Sequence, residues 1–220
     1  MNTRPPRTSQ HFMRLLVPMF AIVLATAACG DSASDPSVDK TSSRADIESG
    51  GESAKVILSE DALPEGWRYA TSEDFLGIPQ MCGVVLEPPE LTSAITQRFA
   101  NSSAAAFVIQ YSFVSSDEDA TKDRIDSFVA AARDCASYKP AKGEEALVSV
   151  IDDIDKVGDS FAAVHAVNAN DDTDARDYVV FRIGKQVTVL LSYGIGRLAT
   201  KADLEAMASS IAAKVEANGF

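Results

Sequence analysis

Residues 146–193 hold four strand-like segments in succession, at 146–154, 160–168, 175–183 and 186–193, with no room between them for a crossover helix. Parallel neighbours need about a dozen or more connecting residues, so segments joined by Gly158-Asp159, by the polar run 168–174 and by Gly184-Lys185 must turn back on one another. That order demands an antiparallel sheet. Two more segments, 94–100 and 104–114, flank Asn101-Ser102-Ser103, which reads as a hairpin connection. Turn residues open the stretch 62–70, which runs into a short strand, while Gly77, Pro79, Gly83, Pro88 and Pro89 break 77–89 into loop.

Two helices complete the pattern. Ser116-Asp117-Glu118-Asp119 reads as a capping box ahead of Ile125, Phe128, Val129, Ala132 and Cys135, which recur at helical spacing and predict a helix over 117–137. Thr200 and Asp203 form a second box, followed by a stripe of Leu204, Met207, Ala208, Ile211, Ala212 and Val215 and a stop at Asn218-Gly219. The order β, β-β, α, four β, α predicts an α+β domain over 56–220, an antiparallel sheet covered by two amphipathic helices.

Ahead of this domain, Arg4, Arg7 and Arg14 precede an apolar run over 15–28, which is shorter than the ~20 residues a membrane span needs. The run ends in Leu24-Ala25-Thr26-Ala27-Ala28-Cys29, which reads as a lipobox: residues 1–28 are removed as a signal peptide and Cys29 takes the lipid. The alternatives are an ordinary export signal with Cys29 merely near the cut, or an uncleaved anchor. Residues 29–55 then form the lipidated N-terminus and a flexible linker, with seven serines, three glycines and only Val38 and Ile47 as aliphatics larger than alanine in 30–55.

Cleavage removes three arginines and no acid, leaving 17 basic against 32 acidic residues, a net charge of −15. Such a chain has no electrostatic footprint for nucleic acid and would be repelled by anionic headgroups. Membrane association on the extracytoplasmic face then rests on the lipid.

With Cys29 acylated, Cys82 and Cys135 remain, and an even pair in an exported chain suggests a disulfide; two free buried thiols or a metal site are the alternatives, the latter without CxxC spacing. His165 is the one histidine after residue 28. Strand alternation puts it on a face with Phe161, Ala163 and Val167, as a core or cleft-lining residue without an identifiable partner for catalysis. The acidic run from Asn168 to Asp174 fails the calcium-loop test, with Thr173 in place of the required glycine and Val179 in place of the glutamate, so no metal or cofactor is expected. Trp67, Tyr111, Tyr193 and His165 are candidates to line a cleft, and Arg182 could receive an anionic ligand or pair with a carboxylate.

Leu63-Pro64-Glu65-Gly66-Trp67, Cys82 in the following loop, Cys135 after the first helix, Phe181-Arg182-Ile183-Gly184-Lys185-Gln186-Val187 and the closing helix together resemble the PknH-like extracellular sensor domains found in actinobacterial lipoproteins, over residues 58–217. The resemblance implies a curved antiparallel sheet with helices and a cleft, a sensor or ligand-binding surface without known catalytic residues. It also implies two disulfides, of which this chain can make only the one matching Cys82 and Cys135. The expected function is a non-catalytic, membrane-anchored module binding a small ligand or cell-envelope component. An interaction scaffold at the envelope is the alternative, and a carboxylate hydrolase ranks behind both.

Overall fold

The computed structural model describes residues 48–49, 51–70, 80–140, 143–194 and 196–220. Cys29, the signal segment, the linker up to residue 47 and residues 77–79 of the expected loop lie outside the described residues. In chain order the strands are β1 Glu48–Ser49, β2 Trp67–Ala70, β3 Gln80–Met81, β4 Val84–Val85, β5 Leu91–Asn101, β6 Ala106–Ser115, β7 Ser137–Tyr138, β8 Ala146–Val150, β9 Ser160–Asn168, β10 Asp171–Ile183 and β11 Gln186–Gly194. The helices are α1 Gly51–Ala54, α2 Glu118–Asp134 and α3 Lys201–Ala217.

Nine strands form one sheet in the order β1-β5-β6-β11-β10-β9-β8-β7, with β2 also on β5. Every pairing in this sheet is antiparallel except β1 with β5, and in the β5–β6, β9–β10 and β10–β11 hairpins the short connectors require it. β9, β10 and β11 follow one another through two-residue turns, Ala169-Asn170 and Gly184-Lys185. β10 begins at Asp171, four residues before the predicted start, because a bulge between Asp171 and Ala175 keeps it in register with β9. β8 stops at Val150, short of the predicted 154, and Ile154 instead turns into the core.

The two predicted helices cover opposite faces. Leu204, Met207, Ala208, Ile211, Ala212 and Val215 of α3 join Val179, Phe181 and Leu190 in one core, the α3 face. Ile125, Phe128 and Ala132 of α2 join Tyr178, Val180, Val187 and Val189 in the other, the α2 face. The central strands β6 and β11 are buried from both sides along most of their length, with Gln110, Ser112, Thr188 and Ser192 among their buried residues.

The capping box at Thr200 and Asp203 forms as predicted. At α2 the cap is Asp117, which accepts from the backbone N–H of Ala120 at 2.8 Å. Ser116 is not the cap: its hydroxyl donates to Glu90 O, while the neighbouring Ser115 turns inward and donates to Pro89 O at 2.6 Å. α2 ends at Asp134, before the predicted 137, so Cys135 is its C-cap rather than part of its stripe, and the next residues form β7. Cys82 and Cys135 are joined, their Cα atoms 6.0 Å apart, which ties the β3–β4 turn to the end of α2.

Part of the stretch expected as linker is ordered. β1, α1 and the buried Val56 and Leu58 carry the chain across β5 and β6 on the α3 face. Apolar periodicity could not reveal this, because polar groups hold the segment: the backbone N–H of Ser53 donates to Ser93 Oγ at 3.0 Å, and the two serine hydroxyls are 2.6 Å apart.

Candidate ligand-binding site

The five residues expected to line a cleft are dispersed. Trp67, 8 % exposed, packs in the α3-face core. His165 stands on that same side of β9, with Nδ1 2.6 Å from Asp177 Oδ1 on the adjacent strand. Tyr111, Arg182 and Tyr193 face the α2 side, but Arg182 pairs with Val187 and Tyr193 with Arg176, so they stand at opposite ends of the β10–β11 ladder.

Arg182 is taken up by structure. It is 4 % exposed, its Nη2 lies 3.2 Å from Asp159 and its Nη1 3.6 Å from Glu118, and it also donates to Gly184 O. Of the two roles weighed for it, carboxylate pairing is the one observed.

Tyr193 has different company. In the sheet register Phe107 pairs with Tyr193, and Tyr193 with Arg176, so the three side chains share one row of the α2 face. The Phe107 and Tyr193 rings stack with centres 5.4 Å apart and planes at 23°. Arg98 reaches in from β5, its guanidinium carbon 4.2 Å from the centre of the Phe107 ring and 5.4 Å from that of Tyr193. Among the described residues no carboxylate lies within ion-pair distance of Arg98, and its Nε is buried without a hydrogen-bond acceptor. On the far side of Tyr193, Arg176 holds an exposed, 3.4 Å contact with Asp174 and borders a hollow of about 50 Å³ lined with Tyr138, Ala166, Asn168 and the carboxylates of Glu144 and Asp174. The row is a cation–aromatic–cation strip.

Arg98, Phe107 and Arg176 were not singled out from sequence. Arg176 could have been found, since counting seven pairs back from Ile183 and Gln186 across the Gly184-Lys185 turn brings it opposite Tyr193. Arg98 and Phe107 could not, because the β6–β11 pairing is not a hairpin and its register is invisible without the fold.

Burial dominates the ionisation of the neighbouring tyrosines. It pushes the Tyr111 phenol up to about 12 and raises Tyr178 as well, with Tyr138 adding to the latter. Because both are raised, their stabilising contribution is complete below the unfolded value near 10 and is lost as pH rises through the folded value. Alkaline unfolding followed by far-UV circular dichroism is therefore expected to begin above about pH 10, and Tyr111→Phe should shift its onset upward. An onset unmoved in that variant would remove Tyr111 from the cause. The shifted carboxyls, Asp61, Asp126 and Asp171, all move down through side-chain hydrogen bonds, from Ser59, Lys122 and Thr173 respectively. That direction is opposite to what a general acid needs.

The fold is that of a PknH-like extracellular domain. The crystal structure of the extracellular domain of PknH from Mycobacterium tuberculosis superposes with a TM-score of 0.53 over 75 % of this chain and 94 % of that one, at 12 % identity. The likeness is one of fold. No protein-family model matches the chain, and no curated protein does. Among the described residues no helix is long and apolar enough to cross a membrane.

Proposed function

We infer that this chain is an exported lipoprotein, held at the extracytoplasmic face of the membrane by lipid on Cys29, whose sensor-like domain binds a small ligand or cell-envelope component without catalysis. The carrying observation is Arg98, seated over Phe107 and Tyr193 with no carboxylate partner among the described residues, in a chain with 32 acidic residues. Arg182 shows what such a chain does with a structural arginine: it surrounds it with acids. A cation kept instead on aromatic faces is arranged for something that arrives. The likeness to an extracellular domain supports the compartment, as does the basic and apolar start ending at Cys29.

Two measurements test the reading. Mass spectrometry of the membrane-extracted chain is expected to find a lipid-modified N-terminal Cys29; an unmodified N-terminus downstream of it would end the anchoring claim. Native mass spectrometry of the purified chain is expected to show a small-molecule adduct that is lost in Tyr193→Ala. An adduct equally abundant in that variant would place binding elsewhere.

A further inference from the structure

Resting on that reading of the strip, we propose that its ligand is an acidic oligosaccharide, with carboxylates on successive sugar rings. Three features of the strip set this chemistry. The first is its shape. Arg98 is on β5 and Arg176 on β10, with β6 and β11 between them, so their backbones stand three strand spacings apart, about 14 Å. The hollow beside Arg176 holds only about 50 Å³, far below the several hundred Å³ of pockets that enclose a small molecule. The site suits a ligand laid across the sheet over the stacked rings, with Arg98 reaching in to Tyr193 and Arg176 on the strand beyond it.

The second is the surface between the cations. Phe107 and Tyr193 present stacked rings, and Tyr193 adds a hydroxyl at the end of an apolar body. A sugar ring offers matching chemistry, a C–H face for the aromatic body and hydroxyls for the phenol. The third is charge. The chain carries a net charge of −12, so its surface at large repels an acidic ligand, and attraction is confined to cations that the protein leaves unneutralised. Arg98 has no carboxylate partner among the described residues, and Arg176 has a side-chain hydrogen bond with Tyr178 and an exposed pair with Asp174, the second of which a ligand carboxylate can replace at little cost.

Isothermal titration of the purified full chain with trigalacturonate tests this, beside two controls: the fully methyl-esterified trimer, which has the rings without the charge, and citrate, which has the charge without the rings. Trigalacturonate is expected to bind, with Kd raised about tenfold in Arg98→Gln and again in Arg176→Gln. Arg98→Lys, which keeps the charge but not the planar stack, should fall between wild type and Arg98→Gln, and it serves if the glutamine variant folds poorly. Both controls should bind at least about tenfold more weakly than the acid. Ester binding as tightly as acid, citrate binding as tightly as trigalacturonate, or no binding of trigalacturonate overturns the ligand class. The reading of the strip fails separately, if whatever binds is indifferent to both Arg98→Gln and Tyr193→Ala.

Discussion

Replacing Cys82 and Cys135 together by serine is expected to lower the unfolding free energy by about 4 kcal/mol, because the bridge closes a loop across a sequence separation of 53. The chain-entropy argument acts on the unfolded state, and the folded state adds a local reason to expect a loss of this size. β3 and β4 are two residues each, too short to stand as an independent hairpin. They nevertheless seat Met81 and Leu86, both fully buried, in the α2-face core, and Arg124 of α2 donates to Val85 O at 3.1 Å. Cys82 itself sits at φ +52, a conformation unfavourable for a side chain other than glycine. Without the covalent tie, the Arg124 hydrogen bond, the buried Met81 and Leu86 and the partly buried Val84 must hold this hairpin over the helix.

Urea unfolding with and without reductant checks it. Reduction should move the wild-type midpoint down and leave the double-serine variant where it is. A wild-type midpoint insensitive to reductant, with thiols shown to be free, would mean that packing alone fixes the hairpin. The oxidised state also bears on compartment: a structural bridge of this kind persists where disulfides are stable, which is consistent with the export read from the start of the chain.

What could be read from sequence follows the range of the interaction responsible. α3 was legible in full, since a cap at Thr200 and an apolar stripe are local, and all six stripe residues are buried. β9 was legible to both ends, and so was the Gly184-Lys185 hairpin, whose register its own turn sets. At α2 two adjacent polar residues competed for the cap, and the winner depended on Ser115 being drawn to the loop at Pro89 and Glu90. The α+β class and antiparallel sheet follow from connector lengths, but which face each helix covers does not. The strip was legible only at Tyr193, because bringing Arg98 and Phe107 to it takes pairings among β5, β6 and β11. β1 and α1 were illegible for another reason: they are held by buried polar contacts with strands some forty residues away.

A further buried polar contact, just after α1, sets the last expectation, that Gln110→Leu destabilises the domain by about 2–4 kcal/mol although it places an apolar side chain in a core. Gln110 is fully buried on β6. Its Oε1 accepts from the backbone N–H of Leu58 at 3.1 Å, and its Nε2 donates to Val56 O and Ser112 Oγ, each at 3.0 Å. The side chain thus pairs with the backbone of 56–58 much as a neighbouring strand would. Leucine keeps most of the volume but leaves a buried N–H and a buried C=O without partners, at about 1–3 kcal/mol each. The segment could escape that cost only by lifting into water, which would expose Val56 and Leu58 and break the bonds that Lys214 and Tyr69 make to Ile57 O and Leu58 O. Hydrogen exchange separates the two responses: local lifting would abolish protection at the Leu58 amide and spare β9–β11, whereas global loss would lower both. A Gln110→Leu domain within about 0.5 kcal/mol of wild type, with Leu58 still protected, would refute the clamp.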